Sequence, residues 1–163
     1  MKSQPEAEAA TSALVLRQFR IVFNAVKSHF QQMEKQAGIG GAQVWALGVV
    51  KQTPGIGVGA LAQAMDIHQS TASNLVKALV QRALLRIEKD DRDRRAVRLF
   101  ITPQGDQVLA LAPAPWSGLL PEALAHMDET RLRRMHDDLQ TLITLLGDKG
   151  SAQNAAHTPL ADL

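Results

Sequence analysis

The chain of 163 residues contains no cysteine. That absence excludes a disulfide framework, a thiolate-bound metal and a thiol redox switch. No apolar run approaches the ~20 residues that a membrane-spanning helix needs, and the opening Met1-Lys2-Ser3-Gln4-Pro5-Glu6 lacks the order of a secretion signal. A soluble, cytoplasmic protein is expected, with no membrane partner. Aromatic residues are few. The five histidines, at 29, 68, 126, 136 and 157, form no HxxxH pair or His–carboxylate cluster with metal-ligand spacing. His136 beside Asp137 and Asp138 is most simply a solvated helix face. There is no Ser-His-Asp order, and the glycines at 55, 57 and 59 lack the Gly-Lys-Ser/Thr ending of a phosphate loop. No enzyme, cofactor or metal site is expected.

Charge is nearly balanced at +2, but it is unevenly spread. Residues 77–98 hold eight of the 18 Lys and Arg against four acids, a local +4 that leaves −2 for the remainder. A basic patch on a slightly acidic body is an electrostatic footprint for nucleic acid. Membrane binding would want exposed large apolar groups beside the charge; here the charge sits on a polar helix face and a loop.

The stretch from 69 to 82 carries two faces at 100° per residue. Ala72, Leu75, Val76, Leu79 and Val80 form an apolar stripe. Opposite lie Ser70, Ser73, Asn74, Lys77 and Gln81, with no acid among them. A plain surface helix accounts for the stripe, but a solubilising face would mix Glu and Lys in i,i+4 pairs. Short donors and acceptors with one Lys suit base edges and phosphates better. The flanks favour that reading. A short helical run over 58–65 and a turn at Asp66-Ile67-His68 precede the helix, the helix-turn-helix pattern. After it, strands over 83–89 and 96–102 enclose the charged loop Asp90-Asp91-Arg92-Asp93-Arg94-Arg95, a hairpin whose arginines can enter a minor groove.

These residues resemble the MarR family of winged helix-turn-helix transcription regulators. The resemblance rests on Leu61-Ala62, Ser70-Thr71-Ala72-Ser73, Leu75-Val76 and the run from Leu79 to Leu85. Its strongest motif is Asp93-Arg94-Arg95-Ala96-Val97, followed by Leu99, Ile101-Thr102-Pro103 and Gly105. Two positions depart from the family pattern: Gly57 and His68 stand where Ser, Thr or Asp usually precedes each helix, and His is a poor N-cap. The absence of cysteine excludes the cysteine-based peroxide sensing of one branch of that family. The resemblance implies that Ser70, Thr71, Ser73, Asn74 and Lys77 face the major groove. It also implies that Arg95 enters the minor groove, held by Asp93, with Arg92 and Arg94 on phosphates.

The rest of the chain reads as helices. Residues 1–6 are a flexible terminus, and a long helix over 7–37 carries Val15, Phe19, Val22, Val26, Phe30 and Met33. Leu14, Leu16, Ile21 and Phe23 widen that stripe, which suggests a second subunit. Gly38, Gly40 and Gly41 end the helix, and another follows over 42–52. Thr102-Pro103 opens a helix with an N-cap hydroxyl and Pro at N1. Pro113, Pro115 and Pro121 then force a bend or loop. Asp128 caps a last helix to Leu146, and residues 148–163 are expected to be disordered.

The expected fold is mainly α, with a small wing hairpin: a winged lobe over 38–102 and a helical dimerisation region over 7–37 and 103–147. The expected function is that of a homodimeric, sequence-specific DNA-binding regulator. It would be a repressor on an inverted-repeat operator in double-stranded DNA, released by a small, aromatic effector. Arg17, Arg20, His29 and Trp45 are the candidates for meeting that effector; for Trp45, ordinary core packing is the competing reading. The alternative function is a protein–protein module whose basic wing docks an acidic partner.

Overall fold

The computed structural model describes residues 4–89, 97–147 and 158–159, with side chains from residue 10 onward. Arg92, Asp93, Arg94 and Arg95 lie outside the described residues, as does most of the 148–163 tail. Within the tail, Pro159 is buried.

A 34-residue helix, α1 (Gln4–Ala37), opens the fold. Its apolar stripe is covered along only part of its length. Phe30, Met33 and Ala37 are buried in the chain's own core, whereas Leu14, Val15, Leu16, Ile21, Val22 and Phe23 are exposed. After the turn at Gly38 come α2 (Gly41–Gln52), α3 (Val58–Met65) and α4 (Gln69–Gln81). The core gathers Met33, Val44, Leu47, Val50, Leu61, Met65, Leu79, Leu99 and Leu109, each at most 2% exposed. It therefore lies among α1–α5 and the hairpin, not under the later helices.

α3 and α4 end in the same way. Asp66 (φ 53°) follows α3 and Ala83 (φ 56°) follows α4, both left-handed. In each case the next residue's N–H reaches back five positions, Ile67 to Ala62 O at 3.0 Å and Leu84 to Leu79 O at 2.9 Å. These are Schellman closures, and they set the tight turns that angle α4 against α3 and feed it into the hairpin.

The hairpin pairs β1 (Leu85–Lys89) with β2 (Val97–Ile101) antiparallel, from Leu85 opposite Ile101 to Lys89 opposite Val97. A third short bridge joins Ile56 to Leu99, through Gly55 N–H to Leu99 O at 2.8 Å and Leu99 N–H to Ile56 O at 3.0 Å. The base of the hairpin is fixed by Thr102. Its Oγ1 donates to Ala83 O at 2.7 Å and accepts from Gly105 N–H at 3.0 Å, capping α5 (Pro103–Leu111).

The bend expected at the prolines is present: residues 112–118 are irregular and lead into a short helix, α6 (Leu119–Ala125), that periodicity did not reveal. Asp128 caps α7 (Glu129–Leu146) by accepting from Arg131 N–H at 3.0 Å. Neither α6 nor α7 buries a residue in its own chain. Met135, Leu139, Leu142 and Ile143 are exposed along one side of α7.

Thr102→Ala should destabilise the fold by about 1–2 kcal/mol in urea titration, because it removes a helix cap together with the tie to Ala83. Thr102→Ser should recover most of the loss. Equal losses for both would mean that the methyl group, not the hydroxyl, holds the joint.

Candidate nucleic-acid interface

The side chains of α4 sort by face. Ala72, Val76 and Leu79 are buried, and Leu75 and Val80 are half-buried against the core. Ser70, Ser73, Asn74, Lys77 and Gln81 are exposed, while Thr71 lies half-buried at the edge. The exposed five fall within an arc of about 100° at 100° per residue. They form one contiguous polar surface over three turns.

Chemistry separates them further. Asn74 and Lys77 make no side-chain hydrogen bond or ion pair among the described residues, so the C=O and NH2 of the Asn74 amide and the Lys77 ammonium face outward uncommitted. Ser73 Oγ instead donates to Gln69 O of its own helix at 2.8 Å. His68 occupies the N-cap position with extended backbone but makes no side-chain cap bond, and no acid lies in the first turn. No carboxylate within the first turn of α4 offsets the positive end of the helix dipole.

Other basic residues of the 77–98 stretch are committed to the fold. Arg82 donates to Gly38 O at 3.3 Å, tying the end of α4 to the α1–α2 turn. Arg86 pairs with Glu88 and stands 4.6 Å from the Phe100 ring centre, with Arg98 at 5.7 Å from the same ring. Two guanidinium groups over one aromatic face stiffen the outer side of the hairpin.

Of the residues expected to meet an effector, the two arginines stand apart from His29 within one chain. Arg17 and Arg20 are exposed on α1, 12 and 9 positions before His29, which is about 18 and 14 Å along a helix axis. His29 is buried, and its Nε2 lies 3.0 Å from Pro115 O. Trp45 is half-buried against the core. Sequence reasoning missed the partner of His29, the proline-rich segment with Trp116. A tryptophan set among helix-breaking prolines was the available signal.

A model of the MarR family matches residues 37–96, from the end of α1 through the hairpin loop. Over that stretch the chain is similar to the MarR family. A Thauera aromatica protein assigned to transcriptional regulation of the hcr operon is 33% identical over 101 residues. That stretch is 61% of this chain and 56% of the relative, little more than half its length. Among solved structures, the fold is shared with Streptococcus pneumoniae FabT in complex with DNA. The TM-score there is 0.55 at 17% identity, covering 84% of this chain and 98% of FabT. It is shared too with Bordetella bronchiseptica BpsR, whose DNA binding is regulated by 6-hydroxynicotinic acid. That match has a TM-score of 0.53 at 20% identity and covers 79% and 98% of the two chains. The likeness to both structures is one of fold. The MarR-family match thus falls on the lobe that carries α4 and the hairpin, while α7 lies outside it.

Arg82→Ala should lower stability by roughly 0.5–1.5 kcal/mol, the usual worth of one hydrogen bond. It should leave the salt dependence of any DNA binding unchanged. A flattened salt slope would show that Arg82 leaves Gly38 to meet a phosphate.

Proposed function

We propose that this chain is a MarR-type regulator that binds double-stranded DNA as a homodimer, reading an inverted repeat through α4. The acid-free polar face of α4 carries the proposal. Asn74 and Lys77 stand on it without partners, on a helix that the core holds by its opposite side. Asn74 offers a donor and an acceptor together, which matches an adenine edge; Lys77 is a point charge suited to phosphate. The Arg95 wing, with Asp93 orienting it and Arg92 and Arg94 on phosphates, extends the same reading into the minor groove. The solved DNA complex of FabT, which shares the fold, supports it.

Exposed apolar side chains support the dimer. Leu14, Ile21 and Phe23 of α1 and Met135, Leu139 and Ile143 of α7 present a large surface that a monomer would leave in water. A two-fold axis through that surface would place the two α4 helices on half-sites about one DNA turn apart, roughly 34–36 Å. Repression, with release by a small aromatic effector near His29 and Trp45, is the regulatory form of the proposal. The ligand-regulated neighbour BpsR favours it. Such a protein acts in the cytoplasm and has no catalytic step. No helix among the described residues is long and apolar enough to cross a membrane.

The test is a salt titration on operator and scrambled duplexes. Lys77→Ala should weaken both duplexes and flatten the slope of log affinity against log salt by about 0.9 per lost contact. Asn74→Ala should cost roughly 1–3 kcal/mol on the operator alone, with the slope unchanged. The reverse assignment of effects would mean that α4 is rotated differently in the groove. If neither change alters binding, α4 is not the reading helix. An acidic protein partner in place of DNA would show as a chain that binds neither duplex with a steep salt dependence.

Sedimentation at micromolar concentration should give a dimer, and Phe23→Glu should shift it towards monomer. A stable monomer from the unaltered chain would remove the inverted-repeat argument.

A further inference from the structure

Residues 112–118 cross from α5 to α6 over the junction of α1 and α2. Three observations describe how they are seated. The indole of Trp116 lies so close to Gly48 of α2 that a Cβ there would stand 2.7 Å from Cε3. His29 of α1 is buried with Nε2 3.0 Å from Pro115 O; a carbonyl only accepts, so Nε2 carries the proton and donates. Gly118, at φ 99°, lies against the Phe30 ring, where a Cβ would stand 2.8 Å from Cζ. The segment is thus fitted to the α1–α2 junction at three consecutive points.

The seat is also incomplete. Trp116 Nε1 is buried from solvent and has no acceptor among the described residues. A buried donor left unpaired disfavours the state that buries it. The closed seat is therefore held by ring packing and one histidine bond, working against an unpaired N–H.

We infer that residues 112–118 are a latch with a closed and a released state. In the closed state Trp116 sits on Gly48 and fixes the direction in which α6 and α7 leave the winged lobe. α6 and α7 bury nothing in their own chain, and α6 meets the rest of the fold along α1. Their direction is accordingly set by the latch and that contact. In a dimer built on α1 and α7, the latch would govern how rigidly the two lobes are spaced. A released latch lets each lobe move, so one lobe bound to its half-site no longer positions the other. The closed state is the one competent for DNA. Only this last step rests on the DNA-binding reading.

Gly48→Ala provides a test from outside the latch, because alanine is ordinarily the better helix residue and only the indole stands in its way. With spin labels on Gln81→Cys and Thr144→Cys, in a chain that has no other cysteine, the distance from α4 to α7 can be read within one chain diluted in unlabelled protein. The unaltered latch should give a narrow distribution; Gly48→Ala and Trp116→Ala should each broaden it. Gly48→Ala should add nothing once Trp116 is Ala. In a Trp45→Phe chain, Gly48→Ala should make Trp116 emission accessible to acrylamide. Both variants should bind a duplex with two half-sites roughly tenfold more weakly while remaining dimeric. Equally narrow distributions, an indole still shielded in Gly48→Ala, or effects that add in the double variant would each overturn the latch. If the unaltered chain binds no DNA, the DNA reading fails by itself, and the distance distributions still decide the latch. Broadened distances with unchanged DNA affinity would overturn its link to binding.

Discussion

Leu99 joins the helical and strand parts of the lobe. Its side chain is fully buried, and across the sheet it faces Ile87. Its backbone N–H and C=O are both taken by the α2–α3 turn at Ile56 and Gly55. One residue therefore anchors the hairpin to the core through packing and to the helix-turn-helix unit through two hydrogen bonds. Moving Leu99 out of register by one position would turn its side chain to solvent and reverse every face of β2. The placement of the hairpin beside α4 follows from this joint, with Thr102 closing the other end of the strand.

Much of this architecture was legible in the residues. The 3.6-residue period of α4 separated Ala72, Val76 and Leu79 from Ser70, Asn74 and Lys77, and the structure keeps those faces apart. Alternation and flanking turns located both strands to within two residues, and Pro113 and Pro115 marked the break after α5. What could not be read has physical reasons. Ala83 adopts a left-handed conformation that its side chain does not favour, so nothing local announced the Schellman closure after α4. α6 is only seven residues, too short for its apolar period to stand out beside Pro121. The contact of His29 with Pro115 spans 86 positions and leaves no periodic trace. Residue type alone placed His29 with Arg17 and Arg20, whereas the helix axis carries those arginines well away from it.

The amphipathic stripe of α1 is covered by the chain itself along only part of its length. From Phe30 onward it is filled by the chain's own core; before Val26 the same periodicity continues into solvent. No change in composition marks the crossover, because burial in one's own chain and burial against a partner ask for the same side chains. The widening by Leu14, Leu16, Ile21 and Phe23 was the signal that one covered face would not suffice. α7, whose apolar side is exposed throughout, presents the same demand at the other end of the chain.

The back-bond from Ser73 to Gln69 limits what that side chain can offer outward. A serine hydroxyl has one proton, and here it is spent within the helix. Ser73 can then offer only lone pairs outward. In a major groove it would accept from the exocyclic amino group of cytosine or adenine, and it would have nothing to give the two acceptors of guanine. A single intrahelical hydrogen bond thus leaves an ambivalent hydroxyl facing outward as an acceptor alone, able to meet only a group that carries a proton to share.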